Sequence, residues 1–106
     1  MSIGAREAIK LISRNAGNPK FKILDVRTLP ERRASHIPNS EHVPLNELPQ
    51  HLSEMEKDST YLVYCHLGVR SMHAANFMND RGYKAINMQG GILAWSQYSQ
   101  ENEAFN

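Results

Sequence analysis

The sequence has little that could cross-link the chain or anchor it elsewhere. Its 106 residues include one cysteine, which excludes an intrachain disulfide and a multi-cysteine metal site. No apolar run approaches the about 20 residues that a transmembrane helix needs, and the segment after Met1 lacks the apolar stretch of a signal peptide. We therefore expect a protein without a membrane span, and its unpaired thiol predicts a cytoplasmic location.

The chain also lacks an excess of either charge. A net charge of +1 gives no reason to expect attraction to nucleic acid or to an anionic membrane surface. Its content of 41% hydrophobic and 22% charged residues is ordinary for a globular protein. The length is that of one domain, so we expect residues 1–106 to form a single domain with its own core.

Short apolar runs alternate with segments of helical periodicity along the chain. The runs read as strands are Phe21–Val26, Tyr61–Tyr64 and Tyr83–Met88, and the helical segments are Gly4–Asn15, Val69–Arg81 and the stretch after Gly91. Strands that alternate with helices predict an α/β fold, with a parallel sheet covered by helices on both faces.

The single cysteine lies where one of these strands gives way to a helix. Cys65 follows the apolar run, and a short turn with Gly68 leads into the helical segment that carries Arg70. A lone cysteine after a strand is more often a small buried hydrophobe. Here, however, backbone N–H groups at the start of a helix and a nearby arginine would favour the thiolate, which is the reactive form. We therefore interpret Cys65 as a nucleophile.

This stretch resembles the active-site loop of the rhodanese-like sulfurtransferases, in which a cysteine and an arginine enclose four residues and a serine often follows. The sequence here is Cys65-His66-Leu67-Gly68-Val69-Arg70-Ser71. Two further segments match the family in order and spacing. They are Asp25-Val26-Arg27 with Glu31 and His36-Ile37-Pro38 upstream, and Gly90-Gly91-Ile92 with Trp95 downstream.

The resemblance implies a rhodanese-like fold, a small parallel sheet of about five strands, and sulfur transfer. Cys65 would take sulfane sulfur from thiosulfate, or from a protein persulfide such as that of a cysteine desulfurase. The Cys65 persulfide would then pass the sulfur to cyanide or a thiol, in a ping-pong cycle without metal or cofactor. The implied substrate-binding residues are those that follow the cysteine: His66, Leu67, Gly68, Val69, Arg70 and Ser71.

The roles of two loop residues remain open at this level. As a cation, His66 would favour the Cys65 thiolate and attract an anionic donor, whereas as a neutral side chain it would only shape the mouth; we favour the neutral form. Ser71 either fixes the loop by hydrogen bonding or is an ordinary residue of the helix's first turn.

The upstream residues Asp25, Arg27, Glu31 and His36 are expected to support the site. Arg27 either binds an anion or pairs with Glu31 or Asp25, and we favour pairing because buried arginines are usually paired. His36 is expected to hydrogen-bond locally, since no second ligand follows at metal-binding spacing. The family usually has glycine where Ser35 stands, which puts a special backbone angle there in doubt.

Two other functions use similar features. A Cys-based phosphatase or arsenate reductase would also hold an oxyanion between a cysteine and an arginine. The phosphatase relatives, however, have one residue more in the loop, and a phosphatase needs an acid that this loop lacks. A non-catalytic binding or regulatory module is the second alternative, although such modules usually lack the cysteine.

Overall fold

The computed structural model describes the backbone of residues 1–105 and the side chains of residues 1–100. Within this part of the chain the backbone forms five strands, Ser2–Ile3, Phe21–Asp25, Ser40–His42, Thr60–Tyr64 and Lys84–Met88 (β1 to β5). They form one sheet in the order β1-β5-β4-β2-β3, and every neighbouring pair is parallel.

Helices connect the strands. Over the same residues they are Ala5–Arg14, Leu29–Ala34, Leu48–His51, Val69–Asp80 and Gly91–Phe105 (α1 to α5), with single 3₁₀ turns at Leu45–Glu47 and Leu52–Glu54. This arrangement confirms the predicted α/β class and the parallel sheet. No helix in the described part of the chain is both long and apolar enough to cross a membrane.

Helices cover both faces of the sheet, and successive side chains of each strand point to opposite faces, so both sets are buried. On one face Val63 of β4 packs with Ala75 of α4 and Leu48 of α3. On the other face Leu62 packs with Ala8 of α1 and Ile92 of α5. The continuous apolar character of Tyr61–Tyr64, with each side chain at most 1% exposed, follows from this double burial.

The local sequence explains where the short helix α2 begins and ends. The Thr28 side chain accepts from the Glu31 backbone and the Glu31 carboxylate accepts from the Thr28 backbone, which is a capping box. Ser35 ends the helix in extended backbone, with φ −169° and ψ 154°. The replacement of the family's usual glycine by Ser35 therefore strains nothing.

The register of the sheet brings distant residues to one edge. Asp25 lies opposite Tyr64 across β2 and β4, and Asn87 of β5 lies opposite Val63. Because parallel strands end at the same edge, the residue after Tyr64 shares that edge with the last residues of β2 and β5. Cys65 is that residue.

Candidate active site

The Cys65 sulfur lies in a ring of donors at the start of α4. Its Sγ accepts from the backbone N–H of Gly68 at 3.1 Å and from that of Ser71 at 3.4 Å. The Ser71 hydroxyl lies 3.4 Å away on the buried side. Gly68 precedes the helix with φ 102°, a left-handed conformation that turns the loop back over the sulfur.

These donors act on the charge state of the thiol. Burial of Cys65 by itself raises its pKa, but hydrogen bonds from the Ser71 hydroxyl and from the backbone of Ser71, Gly68 and Leu67 outweigh burial. The net pKa lies below that of a free thiol. The sulfur is thus placed where a negative charge is favoured, at the positive end of a helix.

The turn at Gly90-Gly91 and the start of α5 hold the backbone of the cysteine loop in this orientation. Backbone N–H groups in the first turn of α5 donate to carbonyls of the cysteine loop. Ile92 N–H donates to the Cys65 carbonyl at 2.9 Å, and Leu93 N–H donates to the His66 carbonyl at 3.4 Å. A Cβ on Gly91 would lie 2.3 Å from the His66 oxygen, so only glycine fits. Because the carbonyls face α5, the loop N–H groups are free to face the sulfur.

The Arg70 guanidinium forms a two-point ion pair with Glu31. The distances are 2.7 Å to Oε1 and 2.8 Å to Oε2, which is the strong fork geometry of arginine and carboxylate. The hydrogen bond from Arg70, aided by those from Thr28, lowers the pKa of Glu31 to about 2 although partial burial opposes the shift. The charge of Arg70 is therefore compensated by Glu31.

A second and deeper ion pair lies at the end of β2. Arg27 donates through Nε and Nη2 to the Asp25 carboxylate at 3.0 and 2.9 Å, and both residues are at most 3% exposed. Burial raises the pKa of Asp25, but hydrogen bonds from Arg27 and Tyr64 outweigh burial and leave the pKa below its usual value. Arg27 also donates to the Ser35 carbonyl at 2.6 Å, which ties the strand to the end of α2.

The sequence left two carboxylate partners open for Arg27, and the structure pairs it with Asp25. Glu31 pairs instead with Arg70, and Asp25 also lies 3.5 Å from Arg32 Nη1. His36 is exposed, with Nδ1 3.3 Å from the Arg32 carbonyl. Among the side chains of residues 1–100, Glu31 is joined to the cysteine loop by an ion pair, whereas none of Asp25, Arg27 and His36 is.

The mouth of the site is small and partly apolar. A cleft of about 170 Å³ opens over the sulfur. Its lining residues are Cys65, His66, Leu67, Val69 and Arg70. Leu67 is 57% exposed and Val69 61% exposed, so apolar side chains flank the entrance. Gly68 and Ser71 are buried below it.

Sequence reasoning missed four polar residues that organise the region. Tyr64 donates its hydroxyl to Asp25 at 3.0 Å, and Arg32 donates to the Ser40 hydroxyl at 2.6 Å. Asn87, 3% exposed, accepts from the Ser71 hydroxyl at 2.5 Å. Asn87 offered a usable signal, since it is a polar residue inside the apolar strand Lys84–Met88, next to the end that faces the site.

The arrangement suits a small anion better than a metal ion. In the part of the chain with described side chains, no group of three or more histidine, cysteine, aspartate or glutamate residues could hold a metal. The donors that surround the sulfur are N–H and O–H groups. Fold and site together define a parallel α/β protein with a buried cysteine in a loop whose backbone N–H groups point at the sulfur.

Comparison with known proteins identifies the family. The model of the Rhodanese-like domain matches residues 7–98, and the chain belongs to this family. It is 33% identical over 89 residues to a protein named sulfurtransferase from Allochromatium vinosum, covering 83% of each. It is 31% identical over 83 residues to the thiosulfate sulfurtransferase GlpE of Pseudoalteromonas translucida, covering 76% of this chain and 79% of that protein.

The structural comparison agrees with this assignment. A crystal structure of a rhodanese-related protein from Thermoplasma volcanium superimposes with a TM-score of 0.79 and 31% identity. The match covers 92% of this chain and 91% of the other. The rhodanese-like fold expected from the three motifs is thus confirmed.

Proposed function

We propose that the protein is a sulfurtransferase that carries sulfane sulfur on Cys65. The observation that carries the proposal is the ring of donors around Sγ, with the N–H groups of Gly68 and Ser71 at 3.1 and 3.4 Å. Such a ring stabilises a sulfur anion without protonating it. The names of the related sulfurtransferases support the same assignment.

The proposed cycle has two displacements. In the first, the Cys65 thiolate attacks the outer sulfur of thiosulfate; the S–S bond of thiosulfate breaks, and sulfite leaves with the electron pair. In the second, cyanide or a thiolate attacks the outer sulfur of the persulfide, and Cys65 leaves as the thiolate. Both leaving groups are stable anions, so neither step requires an acid, a metal or a cofactor.

The loop residues have distinct parts in this cycle. The persulfide carries its negative charge one bond further out than the thiolate, toward the mouth of the cleft. The loop N–H groups between His66 and Ser71 would hold that charge by fixed dipoles. Arg70 would act mainly by fixing the loop, since its ion pair with Glu31 compensates its charge.

Phosphatase chemistry is less well supported. It requires a proton donor for the leaving alkoxide. The carboxyl group tied to the loop is that of Glu31, and its pKa of about 2 keeps it ionised at neutral pH. With Arg70 bound to both of its oxygens, Glu31 is unsuited to act as an acid.

Intact mass spectrometry tests the proposal directly. We expect the reduced protein to gain about 32 Da, the mass of one sulfur atom, on incubation with thiosulfate, and to lose it to cyanide. Cys65→Ser is the matched control and should gain nothing. A Cys65→Ser protein that still transfers sulfur would refute the role of Cys65.

A second incubation, with a cysteine desulfurase and cysteine, identifies the donor class. Loading by the desulfurase alone would make the protein a relay fed by a protein persulfide, and the acceptor would then be sought among thiols. Failure of both donors would favour the alternative of a regulatory binding module. A persulfide carrier with an unpaired thiol fits a reducing compartment, so we also propose a cytoplasmic location.

A further inference from the structure

A chain of hydrogen bonds, buried as far as Asn87, extends from the cysteine sulfur to the edge strand β1. The Ser71 hydroxyl lies 3.4 Å from Cys65 Sγ and donates to Asn87 Oδ1 at 2.5 Å. Asn87 Nδ2 in turn reaches the Ser2 hydroxyl at 3.3 Å. Ser71 is fully buried and Asn87 is 3% exposed, so water does not compete for these groups.

The Ser71 hydroxyl has one proton and two neighbours that can accept it. The contact with Asn87 Oδ1 needs that proton, because an amide oxygen only accepts. In the contact with Cys65 Sγ either atom can donate, so the hydroxyl can accept from the sulfur while it donates to Asn87. This arrangement suits a thiol, whose S–H can donate to Ser71. A thiolate has no proton to give, so the hydroxyl lowers the pKa of Cys65 only to the extent that it turns away from Asn87.

The backbone holds Asn87 firmly in this position. Asn87 is paired with Ser2 of β1 on one side and Val63 of β4 on the other, and its N–H donates to the Met1 carbonyl at 3.0 Å. An apolar residue would fill a buried strand position without the cost of burying an amide. The amide instead binds two serine hydroxyls, one of which touches the nucleophile.

We propose that Asn87 is a positioning residue that competes with Cys65 for the Ser71 hydroxyl proton and so limits how strongly the thiolate is stabilised. Over-stabilisation would be unfavourable, because the nucleophilicity of a thiolate falls as its basicity falls. The role of Asn87 in turnover rests on the proposed sulfur transfer. The competition between Asn87 and Cys65 for the Ser71 proton can be measured without an assay of sulfur transfer.

The charged groups near the Cys65 sulfur are not part of the hydrogen-bonded chain through Ser71 and Asn87. His66 and Arg70 line the same cleft as Cys65. Glu31 is paired with Arg70, and Asp25 is paired with Arg27 at the end of β2. Among the described side chains, none of these is hydrogen-bonded to Ser71 or Asn87. In this part of the chain, Ser71 is thus the one side chain that is hydrogen-bonded to both Asn87 and Cys65.

The test is the rate of iodoacetamide alkylation as a function of pH, which reports on Cys65 alone because the chain has no other cysteine. Asn87→Ala should free the Ser71 proton for the thiolate and lower the alkylation midpoint by about one pH unit. The limiting rate at high pH should fall about threefold, since the thiolate is less basic. Asn87→Asp, a stronger acceptor of similar shape, should shift the midpoint upward.

The Ser71→Ala background shows whether the hydroxyl transmits the effect. In that background Asn87→Ala should leave the midpoint unchanged, which is a double-mutant cycle with full coupling. Asn79→Ala is the matched control. It removes an asparagine of α4 that bonds the β5 backbone at Ala85, at 3.0 Å in both directions, and it should leave the midpoint unchanged.

Three results would overturn the inference: an unchanged or raised midpoint in Asn87→Ala, an equal shift with and without Ser71, or a shift in Asn79→Ala. If Asn87→Ala does not fold, Asn87→Asp decides the question when it is compared with and without Ser71→Ala. The upward shift should be larger when Ser71 is present, and an equal shift in both backgrounds would be direct charge repulsion and would overturn the inference. Alkylation does not depend on a sulfur donor. A protein that loads neither from thiosulfate nor from a cysteine desulfurase would therefore contradict the proposed function and leave this result unaffected.

Discussion

Neutralising Glu31 should destabilise the protein in a way that depends on pH. The pKa of Glu31 is lowered from 4.5 to about 2, mainly by the hydrogen bond from Arg70. At about 1.36 kcal/mol per pKa unit, that difference sets a ceiling of about 3.4 kcal/mol on the contribution of this carboxylate to stability. Because the Arg70 and Glu31 side chains are 37% and 30% exposed, solvent screening reduces the value, and we expect about 1–2 kcal/mol.

The substitution of choice is Glu31→Gln. Its amide oxygen can still accept the capping bond from Thr28, while the charge and one of the two acceptors for Arg70 are removed. Folding lowers the pKa of Glu31, so its contribution is fully present above about pH 4.5 and is lost as the pH falls to about 2. Urea unfolding followed by circular dichroism, in steps from pH 7 to pH 2.5, measures it. The difference between wild type and Glu31→Gln should shrink steadily below pH 4.5.

Glu7→Gln is the matched control. Glu7 pairs with Lys10 on α1, where both side chains are at least 60% exposed, and we expect a change below about 0.5 kcal/mol. A loss in Glu31→Gln that is the same at pH 3 and pH 7 would show that the charge contributes nothing. The reasoning about the ion pair would then be wrong.

Two further substitutions test how the site is held. Gly91→Ala places a Cβ 2.3 Å from the His66 oxygen. It should lower the free energy of unfolding by more than about 2 kcal/mol and slow the alkylation of Cys65. The control is Gly17→Ala, at a position with φ 79° and open space, which should lower the free energy of unfolding by about 1 kcal/mol and leave alkylation unchanged. Equal effects of the two would remove the role assigned to the glycine turn. The Ile37 N–H donates to the Tyr64 hydroxyl at 3.2 Å, and Tyr64→Phe removes that acceptor. The substitution should lower the free energy of unfolding by about 1–3 kcal/mol and should not shift the midpoint of Cys65 alkylation. A clear shift would show that the Asp25 cluster acts on Cys65 after all.

Most of the fold was predictable because its signals are local. The strand Thr60–Tyr64 is apolar throughout because it is buried on both faces, and the helix Val69–Asp80 ends where Gly82 follows. The segment from Cys65 to Ser71 folds over its own sulfur within a single strand–loop–helix unit. The order of strand, turn and helix along the chain therefore predicts that backbone N–H groups gather near Cys65, although the contact of the Ser71 side chain was left open.

The partners of the site residues were decided by the tertiary structure. Arg70 and Glu31 are separated by 39 residues, and nothing in their spacing distinguishes this pair from one between Arg27 and Glu31. The strand order β1-β5-β4-β2-β3 brings α2 to the mouth of the loop and Asn87 beneath Ser71. The amino-acid sequence by itself determined the α/β class and the strand–loop–helix segment that carries Cys65, because both depend on neighbours along the chain. Which carboxylate compensates Arg70, and which amide takes the Ser71 proton, depend on how the sheet assembles.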